Sequence, residues 1–282
     1  MKERRKKRLL SAISILAIFI LFLAGSSLHP VKKAELEGMI TVAHRGASGF
    51  APENTMAAFQ KGLELGADFL ECDVQLSKDN ELILIHDLYV DRTTNGRGSV
   101  RQFTLKELKQ LDAGTSFHPT YAGETLITLD ELLKEFYGKI GILIEVKNPA
   151  INRGIEEKIV ELLDQYPDLQ SIVVQSFDVN VLKRIHELND NIQLGVLING
   201  SFIPMSTKYI DELTSFAAFI NFNVSSLDKR TVDQIRKRNC KVLVWSKKDK
   251  RLIQKAILYG ADGVITDFSR WPVDQEVFME ME

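Results

Sequence analysis

The sequence has few cysteines, and it lacks the motif that binds dinucleotides. Only two cysteines occur among the 282 residues, Cys72 and Cys240, and each lies in a predicted strand or at its start, far from the other. We therefore expect two buried free thiols rather than a disulfide, and no redox chemistry. No Gly-x-Gly-x-x-Gly sequence is present, so nothing favours a dinucleotide-binding fold.

Most of the chain also lacks an excess of positive charge. The formal charge is −2, but residues 1–8 alone carry a net +5, which leaves −7 for the remainder. An acidic body of this kind argues against nucleic-acid binding and suits a site that requires a cation. The apolar content of 45% is ordinary for a globular protein, so a large core is expected.

The basic segment 1–8 is followed by 17 uncharged, mostly apolar residues, 9–25. At about 1.5 Å per residue this run is about 25 Å long, barely enough to cross a bilayer core. The basic residues before it favour a cytoplasmic N-terminus and place the folded body outside the cell membrane. We favour a single-pass transmembrane anchor, with cleavage of residues 1–26 and secretion as the alternative. Residues 26–38 then form a polar tether to a folded domain, 39–282.

Apolar runs typical of strands alternate with amphipathic stretches from residue 39 onward. Eight runs are spaced as parallel strands, at 39–44, 69–76, 140–146, 172–175, 193–198, 219–222, 241–245 and 263–266. Helical spacing separates them, for example at 155–166 and 179–188. Eight such steps in about 245 residues predict an α/β fold, a (β/α)8 barrel of the TIM type, rather than a doubly wound sheet.

The second predicted strand is followed by a hairpin and a long insertion. A tight turn at Asp79-Asn80 returns the chain antiparallel over 82–86. Centring the turn there places His86 directly opposite Asp73, on the same face. Residues 88–127 then form a polar insertion with one short helix, 105–111. An insertion of this length is usually functional, as in a lid or a specificity region.

Acidic side chains stand on two of the predicted barrel strands, where alternate residues face the inside of the barrel. Glu71 and Asp73 share one face of the second strand because Cys72 takes the other. Side by side they offer oxygen ligands for a hard cation such as Ca²⁺ or Mg²⁺, whereas a pair facing solvent would be structural only. Glu145 adds a third ligand at the end of an otherwise apolar strand.

Two histidines and two basic residues complete this group. His44 and Arg45 follow the first strand, His86 ends the hairpin strand, and Lys147 shares a face with Glu145. Taken singly, they have simpler interpretations: a core histidine, a surface arginine and a buried Glu–Lys pair. Taken together with the acidic residues, they make a site that splits a phosphate ester. The metal, the arginine and the lysine neutralise the phosphate, and the histidines supply base and acid.

The motifs of this group resemble those of the glycerophosphodiester phosphodiesterase family, in the expected order over about residues 39–270. They are His44-Arg45-Gly46, Pro52-Glu53-Asn54-Thr55, Glu71-Cys72-Asp73-Val74, His86-Asp87, Thr94-Asn95-Gly96-Arg97-Gly98, Glu145-Val146-Lys147 and Asp262-Gly263-Val264-Ile265-Thr266-Asp267. The resemblance implies a (β/α)8 barrel with an insertion after the His-Asp strand. It also implies one divalent cation and hydrolysis of glycerophosphodiesters to glycerol 3-phosphate and an alcohol.

The family's motifs also imply roles for single residues. The metal ligands correspond to Glu71, Asp73 and Glu145. The acid and base correspond to His44 and His86, and the phosphate contacts to Arg45 and Lys147.

Three aromatic residues lie at or just beyond predicted strand ends. All three could line an apolar side of the pocket, and Trp245 is expected to do so and to bind substrate. For Phe177 and Phe222 we favour the ordinary barrel core. The family tends to have Trp-Thr-Val-Asn at this point, but this chain has Trp245-Ser246-Lys247-Lys248. The departure leaves the substrate open.

Three functions remain open on the sequence. In a metal-dependent glycerophosphodiester phosphodiesterase, His44 deprotonates the attacking hydroxyl, of water or of the substrate's glycerol, and His86 protonates the leaving alcohol. These two roles are exchangeable. The second function is a lysophospholipase D-like enzyme or a phosphodiesterase of an envelope polymer, with access governed by Trp245 and the insertion. The third is an inactive barrel that serves as a binding or scaffold domain, which the complete set of polar site residues disfavours.

Overall fold

The computed structural model describes residues 38–200, 205–246 and 250–268. The predicted basic N-terminus and membrane segment 9–25 lie outside these residues, as do nearly all of the tether and Lys247-Lys248. Across the described ranges, no helix is both long enough and apolar enough to cross a membrane.

Eight of the strands in the described residues close into a parallel barrel. The strands are β1 (Ile40–Ala43), β2 (Phe69–Leu76), β3 (Leu82–Leu84), β4 (Gly141–Val146), β5 (Ile172–Ser176), β6 (Gln193–Ile198), β7 (Phe219–Asn223), β8 (Lys241–Trp245) and β9 (Gly263–Thr266). The barrel closes because β1 pairs in parallel with both β2 and β9. The β3 strand pairs antiparallel with the end of β2 and is not part of the ring. The predicted TIM-type α/β barrel is confirmed.

Helices connect the strands and cover the outside of the barrel. They are α1 (Met56–Glu64), α2 (Leu105–Leu108), α3 (Leu129–Phe136), α4 (Ile155–Leu163), α5 (Val179–Leu188), α6 (Thr207–Thr214), α7 (Lys229–Arg236) and α8 (Lys250–Leu258). Side-chain caps fix several starts, since Thr55, Thr128 and Asp228 each accept a hydrogen bond from a backbone N–H of the first turn. The main hydrophobic core lies between these helices and the barrel.

A smaller hydrophobic cluster fills the inside of the barrel below its C-terminal end. It is built from one side chain of each of six strands, namely Val42, Leu143, Val173, Phe219, Leu243 and Ile265. Because side chains alternate along a strand, the residue two positions after Leu143 also faces inward. That residue is Glu145, and the same rule places His44 above Val42. The apolar layer is therefore the floor of the site predicted from the sequence.

The predicted hairpin forms, but its predicted register is wrong by one residue. Val74 pairs with Leu84, and the N–H of Ile85 donates to the carbonyl of Asp73, so Ile85 rather than His86 lies opposite Asp73. The turn is closed by a hydrogen bond from Ser77 N to the carbonyl of Glu81, which leaves a three-residue loop. Asn80 supplies the left-handed residue that such loops require, with φ of 62°. An odd loop length shifts the pairing by one position.

The 88–127 insertion folds onto the hairpin through its own hydrophobic cluster. Ile83 and Ile85 of the hairpin pack with side chains from along the insertion, namely Val90, Val100, Leu108, Ala113 and Leu126. The predicted helix forms as α2 but is shorter than expected. The insertion is thus a packed cap at one side of the barrel.

The predictions for buried side chains are confirmed with one exception. Cys72 and Cys240 are both buried and free, and Phe222 is buried in the core. Phe177 is not a core residue, since 46% of it is exposed. The prediction failed because β5 ends at Ser176, which leaves Phe177 as the first residue beyond the strand, at the mouth of the barrel.

Candidate active site

The side chains predicted from the sequence meet at the C-terminal mouth of the barrel. A cavity of about 260 Å³ is lined by His44, Arg45, Glu71, His86, Glu145, Lys147 and Trp245. Asp73 does not line the cavity and is fully buried. Its carboxylate still lies 3.2 Å from Arg45 Nε and 3.7 Å from Lys147 Nζ. The structure therefore brings all eight predicted residues together, one of them below the surface of the cavity.

The loop after β1 has an unusual backbone that points its N–H groups at the acidic residues. Arg45 has φ of 54°, and its backbone N–H donates to Glu71 Oε2 at 2.7 Å. Gly46 follows with φ of 75°, and a Cβ there would lie 2.5 Å from the carbonyl carbon of Ala58. Only glycine fits at this position, because any side chain would push α1 away from the loop.

Asp73 is held as an ionised carboxylate by neighbours from two loops. Asn54 bonds it twice, donating from Nδ2 to Asp73 Oδ2 at 2.9 Å and accepting from the Asp73 backbone N–H at 3.1 Å. Burial raises the pKa of Asp73, but the positive charges of Arg45 and Lys147 outweigh burial and hold it below its usual range.

Three buried carboxylates form a cluster that can hold a metal ion. Glu71, Asp73 and Glu145 each bring an oxygen atom within 4.8 Å of the others. Burial, followed by the negative charge of Asp73, raises the pKa of Glu71 to about 8 and raises that of Glu145. Glu71 Oε1 and Asp73 Oδ1 are buried without a hydrogen-bond partner in the described part of the chain. A divalent cation would supply what these oxygens lack, and a donor set of three carboxylates suits Ca²⁺ and Mg²⁺ alike.

Lys147 pairs with this cluster from the side of the cavity. Its Nζ lies 2.6 Å from Glu145 Oε1, and burial, which lowers the pKa of Lys147, is outweighed by the charges of Glu145 and Asp73, which raise it. The buried Glu–Lys pair considered as a structural alternative is therefore present, and it faces the cavity. The pair is at once structural and placed to meet an anionic ligand.

His44 is oriented by an aspartate that follows β9. Its Nδ1 lies 2.5 Å from Asp267 Oδ1, and the hydroxyl of Ser48 donates to the same oxygen at 3.0 Å. Burial lowers the pKa of His44, but the hydrogen bond to Asp267 and the charge of Glu71 outweigh burial and raise it above its usual value. With Nδ1 directed at the carboxylate, Nε2 is the ring nitrogen left to exchange a proton with a substrate.

His86 lies on a loop that a buried glutamine of β2 fixes in place. Gln75 Nε2 lies within hydrogen-bond distance of the carbonyls of Ile85, His86 and Asp87, at 3.0, 3.3 and 2.6 Å. His86 Nδ1 lies 2.7 Å from Asp87 Oδ1, which repeats the His–Asp pairing seen at His44. Burial lowers the pKa of His86 and exceeds the opposing effect of Asp73. The correct placement of His86 thus depends on Gln75, not on the strand register.

Arg92 of the insertion joins the two sides of the site. Its guanidinium contacts both oxygens of Glu53, at 2.7 and 2.8 Å, and both oxygens of Asp87, at 2.6 and 3.1 Å. Glu53 accepts a hydrogen bond from Arg45 at 2.9 Å, and Asp87 pairs with His86. The hydrogen bonds from Arg92 hold the pKa of Asp87 well below its usual range. A continuous chain of charged contacts therefore runs from Arg45 to His86 through the insertion.

Several of these residues were not predicted to take part in the site. Glu53, Asn54, Asp87 and Asp267 stand in the motifs that carry the family resemblance, and that was the signal available for them. Gln75 and Arg92 lie outside those motifs, and neither the spacing nor the type of these residues marked them.

One wall of the cavity is aromatic. Trp245 and Phe177 both line it, with ring centroids 6.1 Å apart and ring planes at 85°. Trp245 therefore lies on an apolar side of the pocket. Phe177, which was expected in the barrel core, lies beside it on the same wall.

The family model for the glycerophosphoryl diester phosphodiesterase family matches residues 44–270. The chain belongs to this family. It is accordingly a phosphoric diester hydrolase. A Bacillus subtilis protein, YhdW, is 40% identical over 230 residues, which cover 82% of this chain and 95% of YhdW. A glycerophosphodiester phosphodiesterase of Caldanaerobacter subterraneus is 37% identical over 81% of this chain and 93% of its own length.

The fold agrees with that of a solved structure of a related enzyme. A phosphodiesterase of Oleispira antarctica, solved in complex with the product sn-glycerol-3-phosphate, superposes with a TM-score of 0.75 at 30% identity. The superposition covers 86% of this chain and 99% of that one.

Replacing Arg92 by lysine is expected to lower kcat/KM about tenfold without unfolding the protein. A lysine keeps the charge but cannot make forked contacts to two carboxylates at once, so Asp87 and Glu53 lose their fixed positions. Steady-state kinetics on glycerophosphocholine, with thermal melting as a check on folding, measure the effect. Arg97→Lys, at an exposed position of the same insertion, is the matched control. Equal rates for the two variants would show that Arg92 does not position the site.

Cation binding is expected to weaken as the pH falls below about 8. Glu71, with its pKa of about 8, carries a proton at pH 7 in the metal-free protein, and this proton competes with the cation for the same carboxylate. The apparent affinity should therefore fall about tenfold per pH unit below pH 8 and level off above it. Titration calorimetry between pH 6 and 9, in buffers of different ionisation enthalpy, measures both the affinity and the released proton. An affinity independent of pH over this range contradicts the assignment.

Proposed function

We propose that the chain hydrolyses glycerophosphodiesters to glycerol 3-phosphate and an alcohol, using one divalent cation and a pair of histidines. The observation that carries the proposal is a single cavity that collects an acidic cluster, two histidine–aspartate pairs and two basic side chains. Family membership supports the reaction class, and the product bound to the Oleispira relative supports glycerol 3-phosphate as the product here.

In this mechanism the charged residues bind and neutralise the phosphate. Glu71, Asp73 and Glu145 would hold Ca²⁺ or Mg²⁺, while Arg45 and Lys147 contact the phosphate oxygens. When bound, the cation would withdraw negative charge from the phosphate and, as a positive charge near His44, would lower the pKa of that histidine. Trp245 packs against the carbon atoms of the substrate.

The two histidines move the protons. We assign the base to His44, whose side chain is 18% exposed, and the acid to His86, which is 31% exposed and nearer to solvent. His44 takes a proton from the attacking hydroxyl, and His86 protonates the departing alcohol. Attack by water gives glycerol 3-phosphate directly, whereas attack by the substrate's glycerol gives a cyclic phosphodiester that a water molecule then opens to the same product. In the metal-free protein the pKa directions are opposite to this order, with His44 raised and His86 lowered. The assignment therefore applies to the metal-loaded site, and the exchanged roles are the alternative.

The chain is expected to hydrolyse glycerophosphocholine and glycerophosphoethanolamine, to lose activity in EDTA and to regain it when Ca²⁺ or Mg²⁺ is added back. His86→Ala should lower turnover about 10²–10⁴-fold, the usual range for one acid or base group. Release of glycerol 3-phosphate measures both effects.

His118→Ala is the matched control, because His118 is exposed on the insertion and does not line the cavity. Full activity of a folded His86→Ala protein would refute its role as the acid. No hydrolysis of any diester with any metal would favour the scaffold domain or the polymer phosphodiesterase.

For the location of the enzyme we keep the proposal drawn from the sequence. Basic residues 1–8 followed by the apolar run 9–25 support a barrel held outside the cell membrane by one span, or secreted if the run is cleaved. Such a location would give the site access to diesters derived from envelope lipids.

A further inference from the structure

A second groove opens from the catalytic cavity between the ends of β4 and β5. Its volume is about 550 Å³, and it shares Glu145, Lys147 and Phe177 with the cavity. The charged pair lies at its inner end. Farther out, the lining includes Leu88, Ile151 and Val179.

Exposed apolar side chains are concentrated in this groove. In the described residues eight large apolar side chains are exposed, and three of them, Leu88, Ile151 and Phe177, line it at 37%, 47% and 46% exposure. Apolar side chains left in solvent beside a catalytic cavity indicate a surface that an apolar ligand covers.

Three polar side chains of the groove already have hydrogen-bond partners within the protein. Asp178 accepts from the N–H of Asn180 at the start of α5, and the Ser176 hydroxyl donates to the carbonyl of Val146. Asn148 Nδ2 donates to Gln75 at 3.4 Å. The outer groove therefore suits a hydrocarbon better than a polyhydroxyl group.

The barrel order places the groove on the side of His86. The β4 and β5 strands follow β2, whose hairpin leads to His86, and Leu88 comes two residues after it. On the other side, Trp245 and Ile265 line the cavity from β8 and β9, next to β1 and His44. A phosphate bound at Lys147 therefore has the groove on the side of His86 and the remaining cavity on the side of His44. The two substituents of a phosphodiester can occupy these two spaces.

We propose that this groove binds an apolar leaving alcohol, so that the preferred substrate is glycerol 3-phosphate esterified to a hydrocarbon chain. The proposal rests on the function proposed above and names the class of alcohol. The bond from phosphorus to the alcohol oxygen breaks, a new bond from phosphorus to the attacking oxygen forms, and the alcohol departs with a proton from His86. The chain of the alcohol lies along Leu88, Ile151 and Phe177.

The test is a series of glycerol 3-phosphate esters of ethanol, butanol, hexanol and octanol, each used below its micelle concentration. These alcohols are almost equally good leaving groups, so differences in kcat/KM report binding of the chain. Half-burial of each added methylene predicts about a twofold gain per carbon, or about sixteenfold over the four carbons from butyl to octyl. Release of the common product, glycerol 3-phosphate, gives one readout for all.

Charged substitutions in the groove test whether the hydrocarbon chain of the alcohol binds there. Ile151→Asp and, separately, Leu88→Asp should reduce the gain from butyl to octyl to less than about twofold. Both positions are partly exposed, so folding should tolerate the change. Leu188→Asp is the matched control and should keep the full gain. Leu188 is equally exposed but ends α5, whereas Val179 in the groove begins that helix, which puts the two about 14 Å apart along the axis.

The outcomes separate this proposal from the one it rests on. Hydrolysis of every ester at the same rate would refute the apolar alcohol and leave the glycerophosphodiesterase function standing. If both groove variants keep the gain in kcat/KM from the butyl to the octyl ester, the hydrocarbon chain binds elsewhere, and the proposal is also refuted. The same gain for a methyl diester that carries an octyl chain on its glycerol would reverse the orientation proposed here. Cleavage of glycerophosphocholine but of none of these alkyl esters would also refute only the apolar alcohol, whereas cleavage of neither in the presence of metal would refute the proposed function itself.

Discussion

Three carboxylates buried at one end of the barrel are the constraint on which the rest of the site depends. Glu71 and Asp73 have no exposed surface and Glu145 is 7% exposed, so water solvates none of them well. Their mutual repulsion is opposed by Arg45 and Lys147, yet the pKa of Glu71 remains at about 8. The cluster is therefore short of positive charge in the metal-free protein, and a divalent cation is the group that would supply it.

The loops around the cluster are built to bring positive and dipolar groups to it. The backbone of Arg45 turns through a left-handed conformation so that its N–H reaches Glu71, and Gly46 makes that turn sterically feasible. The insertion contributes Arg92, which ties Glu53 to Asp87 and so couples the arginine side of the site to His86. The insertion is thereby part of the structure that positions the active-site residues.

The barrel and most of its site could be predicted because both follow from local patterns. Strands such as 193–198 and 263–266 are apolar runs bounded by polar residues, and their observed limits are those predicted. Since parallel strands of a barrel end at the same rim, polar residues at those ends had to meet. Alternation along β2 and β4 then put Glu71, Asp73 and Glu145 on one inward face.

The remainder depends on contacts that no local pattern records. Arg92 meets Glu53 39 positions away, and Gln75 acts through backbone carbonyls that any residue provides. The hairpin register depended on whether the loop held two or three residues, and the placement of Phe177 depended on where β5 ends. Both are single-residue distinctions at element boundaries, where sequence patterns are least informative.

The most direct test of the account is diffraction from crystals soaked in Mn²⁺, recorded near the manganese absorption edge. Mn²⁺ is a hard cation with the same preference for carboxylate oxygens and gives an anomalous signal that identifies it. One strong anomalous peak in contact with Glu71, Asp73 and Glu145 is expected. A cation bound elsewhere in the cavity, or no peak at saturating Mn²⁺, would contradict it.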